Sequence, residues 1–145
     1  MPTSTSRFPR AQIDPIHSGE LALQVFRAQM SAPPMYETLA MFLDTRLRGS
    51  TLVTLAHTAD PNDVIDVAQS IASVVSGIVD VSGIVLASVR PDGALCDGDD
   101  DRWLEAADLV EDQGVLLVDW FILGQHVTHC PRELLGMPSR WRCGT

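Results

Sequence analysis

Positive charge is scarce in this chain. Ten basic residues stand against 19 acidic ones, a formal net charge of −9 over 145 residues. A nucleic acid backbone is bound through a basic face, so direct binding to nucleic acid is not expected. The same imbalance argues against anionic membranes. Long apolar runs are missing too, and no segment reaches the length of a membrane span. Residues 1–10 lack the apolar core of a secretory signal. Cysteine is sparse: Cys96, Cys130 and Cys143 are odd in number and unpatterned. That excludes a disulfide framework and points to a reducing cytoplasm. What remains is 46% apolar and 20% charged, the composition of a soluble globular protein of one domain.

Residues 1–16 are rich in Pro, Ser, Thr and Arg without a sustained period, and read as a mobile leader to a domain over 17–145. Ser18 caps a helix running to about Met30, with an apolar stripe at Leu21, Ala22, Val25, Phe26 and Met30. Pro33-Pro34 stops it. Strands over 36–43 and 51–56 flank a polar turn at 44–50 and predict a hairpin. Asp60-Pro61-Asn62-Asp63 starts a second helix, with Asp60 at the cap and Pro61 at the first helical position.

Val64, Val67, Ala68, Ile71, Val74, Val75 and Ile78 recur at helical spacing through Val79, so this helix is expected to be central. Residues 83–89 form a continuous apolar strand, the pattern of burial on both faces. A third helix over 99–113 opens on acids that suit its dipole and ends at Gly114. Strands at 115–123 and 126–130 and a short helix after Pro131 complete the order. The fold class is α+β, a largely antiparallel sheet with helices.

The stretch Ile84-Val-Leu-Ala-Ser-Val-Arg-Pro-Asp-Gly93, with the acidic run 97–101 behind it, resembles the metal-site framework of the RadC-like JAB/MPN domains. That family of zinc metallohydrolases writes it as an apolar strand, His-x-His, Pro-Ser-Gly and a later Asp. The likeness extends over about 18–135. Met41-Phe42-Leu43-Asp44-Thr45-Arg46 resembles the family's hairpin motif, and Pro61-Asn62-Asp63-Val64-Ile65 its helix start. Gly114-Val115-Leu116-Leu117-Val118-Asp119-Trp120 resembles its following strand, and Arg132-Glu133 the pair after the last strand. The resemblance implies a JAB/MPN-like (cytidine-deaminase-like) mixed sheet packed against helices, and a family associated with DNA repair.

The same resemblance locates what the chain does not retain. The family's general base, a Glu, corresponds to Val53, and its two histidines to Ser88 and Arg90. The third ligand corresponds to Asp101 counting from the Pro-x-Gly turn, or to Asp99 counting back from Asp119. A catalytic zinc needs about three protein ligands and an open position. A hydroxyl, a guanidinium and one carboxylate fall short, and Val53 takes no proton from water. No zinc and no JAB-type hydrolysis are therefore expected. Two readings of Arg90 stand: a partner of Asp99 or Asp101 that holds the loop closed, or a surface residue at a strand end.

Other chemistry is weaker. Asp97, Asp99, Asp100 and Asp101 lack the alternating spacing of a calcium loop. His126, His129 and Cys130 form the one His/Cys cluster, and strand alternation splits His129 from the other two. No Gly-x-Ser-x-Gly elbow surrounds Ser88. Trp103, Trp120 and Trp141 read as packing residues. The expected function is a catalytically inactive binding or regulatory module with a protein partner. The alternative is a metal-dependent, peptidase-like hydrolase with ligands drawn from Asp99, Asp101, His126 and His129.

Overall fold

In the computed structural model of the chain, the structure describes residues 13–78 and 80–141. The elements are α1 (Gly19–Gln29), β1 (Glu37–Leu43), β2 (Gly49–Ala56), α2 (Asp63–Val75), β3 (Gly83–Val89), α3 (Asp99–Asp112), β4 (Leu116–Leu123), β5 (Thr128–His129) and α4 (Pro131–Leu134). The strands form one mixed sheet in the order β2-β1-β3-β4-β5. All neighbours are antiparallel except β3 and β4, which run parallel and are joined through α3. The α+β class expected from the sequence is the class observed.

Alternation along the strands divides the core in two. Ala40, Phe42, Ile84, Leu86, Trp120 and Ile122 face α2 and α3. Leu39, Met41, Val85, Ala87, Phe121 and Leu123 face Ala22 and Phe26 of α1, with Trp141. Every residue of β1 and β3 is buried, because both strands lie inside the sheet with helices on each side. Ser18 caps α1, its hydroxyl accepting from the Leu21 N–H at 3.3 Å.

Four expectations need correction. Helix α2 begins at Asp63, not Pro61. The Asp60 carboxylate accepts from Asn62 N, and Asp63 in turn accepts from Asp60 N, which makes a closed turn ahead of the helix. It ends at Val75, short of the expected Val79, which lies outside the described residues. It is not central either: Val74 is 64% exposed, and Ile78, past the helix end, 47%, so α2 covers one sheet face and turns its other side to solvent. The leader, residues 1–12 of which lie outside the described residues, is already packed at its end. Pro15 bridges Arg48, and Ile16 is buried with its N–H on the Leu47 carbonyl at 2.7 Å.

The fourth correction concerns the last strand, which shrinks to Thr128–His129. The turn before it serves Arg27 of α1 instead of a ladder. The Arg27 guanidinium donates to the carbonyls of Gly124, Gln125 and Val127 and to the Thr128 hydroxyl. Gly124 also permits a close crossing, since a Cβ there would sit 2.6 Å from the Gly93 Cα.

Candidate functional site

The end of β3 delivers Ser88 to the α2/α3 side of the sheet, and Arg90 follows one alternation later. A turn closed by the Gly93 N–H on the Arg90 carbonyl brings the chain back to α3. Gly98, with φ 89, makes the left-handed step that no side chain adopts cheaply, and α3 starts at Asp99.

Arg90 and Asp99 meet there as a buried bidentate pair, 6% and 1% exposed. Arg90 Nη1 lies 2.8 Å from Asp99 Oδ2, and Nη2 lies 3.2 Å from Oδ1. Arg102, one turn into α3, reaches Oδ1 at 2.9 Å, and the Cys96 N–H donates to Oδ2 at 2.7 Å. Four donors therefore saturate a group with about four acceptor positions. The network extends outward: Arg90 donates to the Ala94 carbonyl, and Arg102 to the Asp97 carbonyl and to Asn62 Oδ1 ahead of α2.

Burial pushes the Asp99 carboxyl upward, but the Arg90 guanidinium, the Cys96 N–H and Arg102 outweigh it and hold it below the usual carboxylate range. For Arg90 burial acts downward, and the bonds from Asp99 outweigh that, so its affinity for the proton rises.

Of the two readings of Arg90, the buried pair is the one observed, and Asp99 is its partner. Asp101 is exposed and is not among the partners of this network. Ser88 is 8% exposed, and its Oγ accepts from Trp120 Nε1 at 2.9 Å. Val53 lies on the same sheet face in the row Val53–Ala40–Leu86, one row below Leu55–Thr38–Ser88, half-buried against the α2/α3 core. Thr38 spends its hydroxyl on Thr58 at 2.9 Å. Val53 and Ser88 thus share the α2/α3 face of the sheet, and Arg90 meets Asp99 at the end of β3.

Those residues do not fit a zinc ion. Ser88 is engaged by an indole N–H, Arg90 brings a fixed positive charge, Val53 has no donor, and Asp99 has no free lone pair. His126 is exposed and His129 half-buried in the short β5. Among the described residues no three His, Cys, Asp or Glu side chains form a metal-binding group. Among the described residues the Asp99 carboxylate is shared by the Arg90 and Arg102 guanidiniums, an ionic latch between β3, the loop and α3.

A second buried network lies on the other face and was not anticipated. A register shift in the β3–β4 ladder turns Asp119 inward beside Val85. Asp119 is 1% exposed and accepts from Arg132 Nε and Nη2, Trp141 Nε1, Cys130 Sγ and the Trp120 N–H. It pins α4 and the C-terminal Trp141 to the sheet. Burial, followed by the Asp119 charge and hydrogen bond, pushes the Cys130 thiol up to about 12. Cys130 is therefore a thiol and not a nucleophile. Peptide mapping after iodoacetamide treatment at pH 8 should show Cys130 unmodified in the folded chain and modified after denaturation.

Sequence spacing could have revealed one missed member. Arg102 stands three residues after Asp99, the separation that joins side chains on one helix face. The Asp119 network carried no comparable signal, because a bulge decides which way that side chain points. No family model matches the chain, and no curated protein matches it.

Proposed function

We propose that the chain is a non-catalytic RadC-like JAB domain of the cytoplasm, in which a guanidinium–carboxylate pair stands in for a metal. The single observation that carries this is the Arg90–Asp99 pair at the end of β3, at two positions where the resemblance expects ligands. The α+β class, with one five-stranded mixed sheet packed against helices, is compatible with that reading. In this reading the former active-site loop has become a fixed surface of a binding or regulatory module, presented to a protein partner. The rearranged-ligand hydrolase has no support in the geometry, since Asp99 is saturated and, among the described residues, no three His, Cys, Asp or Glu side chains come together.

Reconstruction tests the lineage. The combined variant Val53→Glu, Ser88→His and Arg90→His removes the guanidinium and restores two imidazoles and a base. It is expected to bind one zinc ion per chain, measured by elemental analysis after dialysis, with circular dichroism confirming the fold. A folded variant that takes up no zinc would contradict the proposed correspondence.

A further inference from the structure

At the end of β3 remote from Arg90 the surface opens into a cleft of about 290 Å³. It is bounded by the β1–β2 turn, the starts of β3 and β4, and Arg140. Among the described residues its lining contains two arginines, Arg46 and Arg140, and no acidic residue, in a chain where acids outnumber cations 19 to 10. Arg140 is anchored: it pairs with Glu111, donates to the Leu117 carbonyl at 3.0 Å and lies over the Trp103 ring. Arg46 is held only by its backbone, its N–H donating to Asp44 Oδ1 at 2.8 Å. Its exposed guanidinium makes no hydrogen bond or ion pair to any described residue. The uncompensated charge of the cleft is therefore that of Arg46.

The apolar part of the lining is formed by Leu47, Leu116 and Val118. Two backbone irregularities shape it. Leu47 has φ 63, a left-handed conformation that a leucine adopts at a cost, and Val118 is the residue skipped where the β3–β4 register shifts. Such departures gather at functional sites.

We propose that this cleft binds a small organic monocarboxylate, its charge on Arg46 and its hydrocarbon part against Leu47, Leu116 and Val118. The guanidinium fork matches a carboxylate. A single free cation suits a monoanion better than a dianionic phosphate. The volume lies just below the roughly 300–1,000 Å³ of pockets for drug-sized ligands, so the ligand is small. The proposal does not depend on the non-catalytic reading of the Arg90 end, and either can fail alone.

The test is an amide NMR titration of the full chain with hexanoate, hexanol and inorganic phosphate as probes. Hexanoate should saturate and shift the amides of residues 45–47, 82–83 and 116–118. Hexanol and phosphate, each lacking one of the two recognised parts, should bind about tenfold more weakly or worse. Arg46→Gln, which removes no hydrogen bond or ion pair to a described residue, should weaken hexanoate about tenfold with the melting temperature unchanged. Leu116→Ser should weaken it from the apolar side. No saturable hexanoate binding, shifts confined to other residues, equal binding by Arg46→Gln, or phosphate binding as tightly as hexanoate would each overturn the proposal.

Discussion

Asp99→Asn is expected to destabilise the chain by about 3–5 kcal/mol, because it leaves the buried Arg90 cation without its counter-charge. Arg90 is 6% exposed, so its guanidinium gains little compensating water, while the half-buried Arg102 keeps its bonds to Asn62 and the Asp97 carbonyl. In a chain of this length the loss should lower the melting temperature by about 10–15 °C, read by calorimetry or circular dichroism.

The pH dependence gives a second readout. The folded-state carboxyl of Asp99 is depressed below its unfolded value of about 3.9. Its contribution is therefore fully present above that value and is lost as pH falls through the lower folded value. Wild type should lose this part of its stability below about pH 4, and Asp99→Asn should show a shallower acid limb. A variant as stable as wild type, with an unchanged acid limb, would mean that the pair is an ornament of the loop.

Asp119→Asn should cost about 3 kcal/mol by the same logic, leaving Arg132 buried at 7% exposure beside a neutral amide. It carries a signature that a general loss of stability does not. Burial is the largest cause of the raised Cys130 pKa, and Asp119 supplies the rest of the upward push. Removing the charge should lower that pKa and make Cys130 alkylate faster under native conditions. Trp141 also loses the acceptor of its indole N–H, held at 3.1 Å. A destabilised variant in which Cys130 stays as inert as in wild type would assign its protection to burial alone.

Much of the sheet was legible because its signals are local. The unbroken apolar run of β3 announced burial on both faces, and the hairpin of β1 and β2 followed from two apolar runs around a polar turn. Helix α2 was misplaced at its start because Asp60-Pro61 is a good helix opening in isolation. Here the Asp60 and Asp63 carboxylates bond across the turn and delay the first helical residue. The exposed Val74, and Ile78 past the helix end, also belong to the periodic stripe, and periodicity alone could not say that α2 lies at the surface.

At the site, Arg90 facing Asp99 was one of two open readings, because a strand end is equally a place for a solvated arginine. What decided between them was the return of the loop, which depends on Gly98 in a left-handed conformation and on the crossing of Gly93 and Gly124. Asp119 was recognised as part of a strand but not as a buried acceptor, since the bulge that turns it inward is a property of two strands together.

Elemental analysis of untagged protein, purified without chelator and then incubated with zinc and desalted, tests the central claim most directly. The closed latch predicts far less than one zinc per chain, with the Arg90–Asp99 contact intact. One tightly retained zinc, lost on replacing Asp99, would show that the guanidinium yields its place to a metal and would contradict the account.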